Sequence, residues 1–104
     1  NPQRAMADYG KAIELSPQDA KAYYNRGLAY EKSGDHQQAI RDYDSVTELA
    51  PRFALAYEHL AKAYEKKEKY AEAIDAWKKV LEIDPQHHAA KTRLTRLGAL
   101  MIHE

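Results

Sequence analysis

Three of the four prolines in this 104-residue chain, Pro17, Pro51 and Pro85, are spaced 34 residues apart. A fixed period of about 20–50 residues is typical of repeat proteins, in which each unit is one supersecondary element. Other positions follow the same step with similar residue types, including the sets Ala5, Ala39 and Ala73; Tyr9, Tyr43 and Trp77; and Ala12, Val46 and Val80. The chain is therefore predicted to be a stack of similar units.

Each unit contains two helical patterns separated by a turn. Apolar side chains recur every three or four residues over residues 20–32 and again over residues 35–49, as on one face of a helix. Ser33-Gly34-Asp35 supplies turn residues, and Pro51 ends the second helix because the residue before a proline is pushed out of the helical region. The corresponding turn of the next unit, residues 67–69, lacks glycine, which predicts longer helices or a tighter turn there.

These columns resemble the tetratricopeptide repeat, a helix–turn–helix of about 34 residues with aromatic, Leu-Gly, Tyr, Ala, aromatic and Pro positions. One unit carries Tyr23, Arg26-Gly27, Tyr30, Ala39, Tyr43 and Pro51, and the next carries Tyr57, Leu60-Ala61, Tyr64, Ala73, Trp77 and Pro85. Arg26 departs from the Leu of the pattern, and Ala61 departs from its Gly. The resemblance implies an all-α fold, namely a right-handed α-solenoid of antiparallel helix hairpins, and the role of a binding scaffold.

The register of the repeat predicts a single domain with six helices. Residues 1–17 would be the second helix of an incomplete repeat, residues 18–51 and 52–85 two full repeats, and residues 86–104 a C-terminal capping or partial-repeat helix. Asn1 and Pro2 are expected to be the N-cap and the first residue of the first helix. On this interpretation the chain is a piece of a longer array.

Composition argues against several other functions. Lys plus Arg and Asp plus Glu each total 16, so the formal net charge is zero, whereas a nucleic-acid binder of this size usually carries a basic stripe. No apolar run approaches the roughly 18 residues needed to span a membrane. Because the chain has no cysteine, it has no thiolate metal ligand or Cys nucleophile, and a reducing compartment such as the cytoplasm fits.

Neither an enzymatic activity nor a cofactor is predicted. Ser16, Ser33 and Ser45 have no glycine-rich elbow beside them, and the four glycines stand alone, so the sequence has no phosphate-binding loop. His87 and His88 are adjacent and would point apart on a helix, whereas metal ligands need about one turn of separation. We interpret them as solvated loop histidines and predict no metal site.

The eight tyrosines raise the alternative of a stacking platform for single-stranded nucleic acid. Many of them occupy packing columns of the repeat, which favours a role in the core: Tyr23, Tyr30, Tyr43, Tyr57 and Tyr64. Tyr24 lies outside these columns, beside Asn25, and the family resemblance places it on the concave groove.

In the tetratricopeptide repeat family, ligand contacts come mainly from the first helix of each repeat. On that resemblance, the groove that binds a peptide is predicted to be lined by Lys21, Tyr24, Asn25, Leu28, Leu55, Glu58, His59, Lys62, Arg93 and Arg96. Lys62, Arg93 and Arg96 would converge as a basic cluster for the acidic or C-terminal part of an extended peptide. The alternative is that the two arginines only pair with Glu58, Glu65 or solvent.

Some members of the family clamp the C-terminal carboxylate of chaperone peptides with lysine, asparagine and arginine side chains at set positions. With Asn25 as the middle asparagine of such a clamp, Leu55 and His59 occupy the positions that require Lys and Arg. A chaperone clamp is therefore disfavoured.

The leading hypothesis is a non-enzymatic scaffold that binds a protein or peptide, without nucleic acid and without membrane insertion. The alternative is a structural or self-assembly module, a fragment of a longer array that associates through its terminal helix at residues 3–15. That helix would leave the side of Ala5 and Tyr9 partly bare. Exposed apolar faces tend to acquire a partner, so this alternative predicts a homo-oligomer.

Overall fold

A computed structural model describes residues 1–102 of the chain, with side chains described for residues 1–98. Residues 103 and 104, part of the predicted capping helix, lie outside the described residues. The described residues form six α-helices and no strand: α1 Pro2–Leu15, α2 Ala20–Lys32, α3 His36–Leu49, α4 Ala54–Lys66, α5 Tyr70–Ile83 and α6 His88–Ile102. The all-α prediction with six helices is confirmed.

The helices divide between two compact units, of which the first is Asn1–Phe53 and the second begins at Ala54. In the first unit, α1 packs against α2 and α2 packs against α3. In the second unit, α4 packs against α5 and α5 packs against α6.

Polar side chains cap the helices of the first unit. Oδ1 of Asn1 accepts hydrogen bonds from two backbone N–H groups of the first turn, at 3.0 and 3.3 Å, and Pro2 is the first helical residue, as predicted. Asp19 and Asp35 cap α2 and α3 through their side-chain oxygens. The three helices that precede a repeat proline each end two residues before it, because the residue before a proline disfavours helix.

The turns inside the two hairpins have similar backbone conformations although their residues differ. Gly34 has φ 86° and Glu68, at the equivalent position, has φ 59°, so both lie in the left-handed region. The first helices of the two hairpins both have 13 residues and the second helices both have 14. The expectation of longer helices or a tighter turn at residues 67–69 is therefore wrong. Glu68 adopts the left-handed conformation in place of a glycine, and this conformation costs roughly 1–2 kcal/mol for a residue with a side chain.

The core of the first unit lies between α2 and α3. Ala39, Tyr43 and Val46 on α3 are fully buried, and a Cβ atom added to Gly27 of α2 would lie 2.7 Å from Cε1 of Tyr43. That distance is far inside van der Waals contact, so the ring packs against the backbone of α2 only because this residue is glycine. The hydroxyl of Tyr43 donates a hydrogen bond to Oε1 of Glu31 at 2.9 Å.

A buried ion pair joins the same two helices. Nε and Nη2 of Arg26 lie 2.8 and 2.7 Å from the two carboxylate oxygens of Asp42, which is only 3% exposed. The pair explains the departure of Arg26 from the Leu of the repeat pattern, because the buried carboxylate on α3 requires a cation that can bind both of its oxygens.

The second unit has a related core without the ion pair. Ala73, Trp77 and Val80 on α5 are fully buried, and Nε1 of Trp77 donates a hydrogen bond to Oε2 of Glu65 at 2.7 Å. The positions equivalent to the ion pair hold Leu60 and Ala76, both buried. The packing columns therefore repeat in the second unit, while the two positions equivalent to the ion pair hold apolar side chains.

Candidate functional site

The predicted site residues of the first unit lie on α2 and differ in exposure. Lys21 and Asn25 are exposed, and Leu28 is half-buried. Asn25 and Leu28 line a groove of about 420 Å³ between α1 and α2, together with Asn1, Pro2, Ala5, Tyr9, Ala29, Lys32 and Ser33. The structure thus brings two of the predicted residues into one concave surface.

Tyr24 packs more closely than its position outside the repeat columns suggested. Its ring centroid lies 5.0 Å from that of Phe53 and 6.0 Å from that of Tyr43, both at tilted angles, and the residue is half-buried. Such aromatic contacts stabilise the first unit and leave only part of the ring for a ligand.

The predicted site residues of α4 differ in their surroundings. Leu55 is 50% exposed, and His59 is half-buried. Glu58 lies beside His87, with 3.2 Å between Oε1 of the carboxylate and Nε2 of the ring. Glu58 therefore already has a partner within the protein.

His87 caps the last helix rather than lying in solvent. Its Nδ1 accepts a hydrogen bond from the backbone N–H of Ala90 at 3.1 Å, and its side chain is 19% exposed. Because Nδ1 is an acceptor, the neutral ring carries its proton on Nε2, which faces Glu58. The interpretation of His87 as a solvated loop residue is therefore wrong. The spacing of the histidines in the sequence carries no signal for these contacts, because they form between residues of different helices.

Arg93 is held by two side chains of its own unit. Its Nη1 lies 2.7 and 2.8 Å from the two carboxylate oxygens of Glu65, and its guanidinium carbon lies 5.7 Å from the centroid of the Trp77 ring. The pairing of Arg93 with Glu65, weighed as the alternative to a free basic cluster, is present. About a third of the Arg93 side chain, 34%, remains exposed.

Lys62 and Arg96 are exposed, and no ion pair of either is found among the residues whose side chains are described. Lys62 follows Glu58 by four residues and precedes Glu65 by three, so it lies on the same face of α4 as both carboxylates. These two carboxylates contact His87 and Arg93 respectively.

The residues predicted to line the groove do not include Glu65, although Glu65 contacts both Trp77 and Arg93. A signal was available, because Glu31 and Glu65 are 34 residues apart and each precedes by 12 residues the aromatic side chain that it accepts from. Glutamate at this position forms a column of the repeat in its own right.

No helix within the described residues is long and apolar enough to cross a membrane. Among the same residues, no three His, Asp or Glu side chains lie close enough together to hold a metal ion.

Helix hairpins with a regular period define a helical-repeat protein. A model described as the tetratricopeptide repeat matches residues 20–53 and 54–87, and a second model, described as TPR repeat, matches residues 3–34. The chain belongs to the tetratricopeptide repeat family. Members of this family are typically protein-interaction scaffolds.

Solved structures with the same fold include several tetratricopeptide repeat (TPR) domains. The first TPR of Spaghetti (RPAP3), bound to the HSP90 peptide SRMEEVD, is 23% identical with a TM-score of 0.87 and covers 97% of this chain and 80% of its own. The Arabidopsis OM64 TPR domain is 29% identical with a TM-score of 0.83, covering 92% and 79%.

The crystal structure of MamA is 36% identical with a TM-score of 0.79, and the match covers 82% of this chain and 50% of the MamA chain. Comparison with curated protein sequences gives no match.

Proposed function

We propose that the chain is a non-enzymatic scaffold that binds an extended peptide, and that acidic groups of the peptide bind at Lys62, Arg93 and Arg96. The observation that carries the proposal is the position of the Arg93 guanidinium. Its Nη1 contacts both oxygens of Glu65, and within the residues whose side chains are described no hydrogen bond of Nη2 or Nε is found, so their N–H groups can serve a ligand.

Arg93 is suited to this role because its orientation is fixed before a ligand arrives. The carboxylate of Glu65 and the face of the Trp77 ring hold the guanidinium plane, so a peptide carboxylate would not have to order a mobile side chain. Lys62 and Arg96 add two exposed cations on the neighbouring helices α4 and α6. The half-exposed Leu55 adds apolar surface on α4.

A structural relative supports a peptide as the ligand class. The first TPR of Spaghetti is bound to the HSP90 peptide SRMEEVD, in which three of the seven residues are acidic. The residues expected of a chaperone clamp do not match in this chain, so the proposal concerns acidic peptides as a chemical class and not that peptide.

The test is an array of heptapeptides that carry from none to four acidic residues, probed with the labelled protein. We expect binding to increase with the number of acidic residues and to weaken with added salt, because exposed charges are screened. Lys62→Glu with Arg96→Glu should remove the preference for acidic peptides. Lys11→Glu with Lys78→Glu, which changes the net charge equally at two other exposed positions, is the matched control.

Two results would overturn the proposal. One is binding that does not depend on peptide charge, and the other is equal loss of binding in the control protein, since a response to net charge alone does not define a site. Arg93→Gln tests the remaining residue, and circular dichroism shows whether losing the contact with Glu65 alters the fold.

A second candidate function is assembly, in which the surface of α1 joins the chain to another repeat helix. The observation that favours it is that none of the 14 residues of α1 is buried, although Ala5 and Tyr9 line the groove beside α2. Light scattering over a range of protein concentrations tests whether the chain associates with itself through this surface.

A further inference from the structure

Three side chains of the second unit are linked in a row that runs from its core to its surface. Nε1 of Trp77 donates a hydrogen bond to Oε2 of Glu65 at 2.7 Å, and both oxygens of Glu65 lie within 2.8 Å of Nη1 of Arg93. Trp77 is fully buried, whereas Glu65 and Arg93 are half-buried. A residue of the core is therefore connected to the arginine at which a peptide is proposed to bind.

The edge of the Arg93 guanidinium that Glu65 leaves open is the edge that another arginine of this chain uses on a carboxylate. Arg26 binds Asp42 through Nε and Nη2, at 2.8 and 2.7 Å. Arg93 contacts Glu65 through Nη1, and within the described side chains neither its Nε nor its Nη2 has a hydrogen bond. Two parallel N–H groups match the two oxygens of a carboxylate, so this edge suits one carboxylate bound side-on.

The position of Glu65 is itself fixed by the repeat. Glu31, 34 residues earlier, accepts a hydrogen bond from the Tyr43 hydroxyl at 2.9 Å, just as Glu65 accepts from Trp77. An aromatic donor on the second helix of each hairpin thus holds a carboxylate on the first helix. The comparison also shows that either a phenol O–H or an indole N–H in this column can reach the glutamate.

We propose that Trp77 and Glu65 are positioning residues that orient Arg93 to bind a peptide carboxylate side-on through Nε and Nη2. The inference rests on the proposed peptide-binding function and names the mode of binding and the residues behind it. Positioning and charge predict opposite effects here. If Glu65 acted only through its negative charge, removing that charge would strengthen the binding of an anion, whereas loss of a positioning residue weakens it.

The test measures the fluorescence anisotropy of two fluorescein-labelled heptapeptides. One carries four glutamates and an amidated C terminus, and the other carries glutamines in their place and a free C terminus. The first offers only side-chain carboxylates and the second only a terminal carboxylate, so the two probes distinguish the sources of the group. The variants are measured with the probe that the parent chain binds more tightly.

Glu65→Gln should weaken binding of the probe about threefold to tenfold. The amide has one acceptor oxygen in place of two, so it cannot accept from both Trp77 and Arg93 as the carboxylate does, and the ligand must then order the arginine. Glu58→Gln is the matched control, because Glu58 lies on the same helix, its side chain is 18% exposed against 20% for Glu65, and the amide keeps an acceptor for His87. It removes the same charge and should bind as tightly as the parent or more tightly.

Two substitutions at Trp77 separate positioning from packing. Tyrosine and phenylalanine have nearly the same size, but only tyrosine keeps a donor for Glu65, as Tyr43 does for Glu31. Trp77→Tyr should therefore bind the probe more tightly than Trp77→Phe. Circular dichroism of each variant shows that the probe meets folded protein.

The mode of binding is read from the Arg93 Nε–H signal in ¹H–¹⁵N spectra, assigned by its absence in Arg93→Lys. The bound probe should shift this signal, which a purely structural role of Glu65 and Trp77 would not require. A signal that the bound probe leaves unshifted would overturn the inference. So would binding by Glu65→Gln as tight as that of the parent, or equal binding by Trp77→Tyr and Trp77→Phe. These three results leave peptide binding itself intact, whereas a parent chain that binds neither probe overturns the proposed function and the inference together.

Discussion

Trp77 donates a hydrogen bond from Nε1 to Glu65, and this relation repeats the bond from the Tyr43 hydroxyl to Glu31 in the other hairpin. In each case a fully buried aromatic side chain on the second helix of a hairpin is tied to a carboxylate near the end of the first helix. Buried polar groups need such partners, because an unpaired N–H or O–H in the core costs about 1–3 kcal/mol. The glutamate thus allows the column to hold either Tyr or Trp.

Replacing Trp77 with alanine is expected to destabilise the protein by roughly 3–5 kcal/mol, because a fully buried aromatic side chain is lost and a cavity remains. Trp77→Phe should cost less, since it keeps most of the buried surface. Urea denaturation followed by circular dichroism measures both. A Trp77→Ala protein as stable as the parent would contradict the assignment of this residue to the repeat core.

The period of the sequence predicted the helices, their ends and the aromatic columns, because these features depend on local propensity and on one repeated face. It did not predict how individual side chains meet across helices. The contact of Tyr24 with Phe53 and the capping of α6 by His87 both depend on tertiary packing. Likewise, the position of Arg93 in the repeat predicts that it lines the groove, but only the structure shows which of the alternative partners, Glu58, Glu65 or solvent, its guanidinium contacts.

The Arg26–Asp42 pair provides a test of how the hairpins differ. Arg26→Leu leaves the carboxylate of Asp42 buried without its cation, which should cost about 3–5 kcal/mol. The double variant Arg26→Leu/Asp42→Ala places the residue types of the second unit, Leu60 and Ala76, at these positions. It should recover most or all of the lost stability, because replacing a buried ion pair by packed apolar groups is often neutral or stabilising.

Denaturation curves of the two single variants, Arg26→Leu and Asp42→Ala, and of the double variant give the coupling between the residues. Additive losses in the double variant would show that the ion pair does not couple α2 to α3.

The two left-handed turn residues predict opposite effects of substitution. Gly34→Ala should destabilise the chain by roughly 1–2 kcal/mol, because alanine is strained at a φ of 86°. Glu68→Gly should be neutral or stabilise by up to about 1 kcal/mol, because relief of strain is offset by the greater freedom of glycine in the unfolded chain. Thermal melts compare both with Glu72→Gly, a helical control that should destabilise.

The ionisation of Tyr43 predicts a loss of stability at alkaline pH. Burial, and then the hydrogen bond and negative charge of Glu31, raise the pKa of the Tyr43 phenol well above its ordinary value of 10.0. The folded state therefore holds this proton more tightly than the unfolded state, so its contribution is fully present below about pH 10 and falls as the pH rises further. Urea denaturation at several values between pH 8 and 11 should show this decrease, and Tyr43→Phe should show a smaller one. An equal slope for Tyr43→Phe and the parent would contradict the prediction, since phenylalanine has no proton to lose at this position.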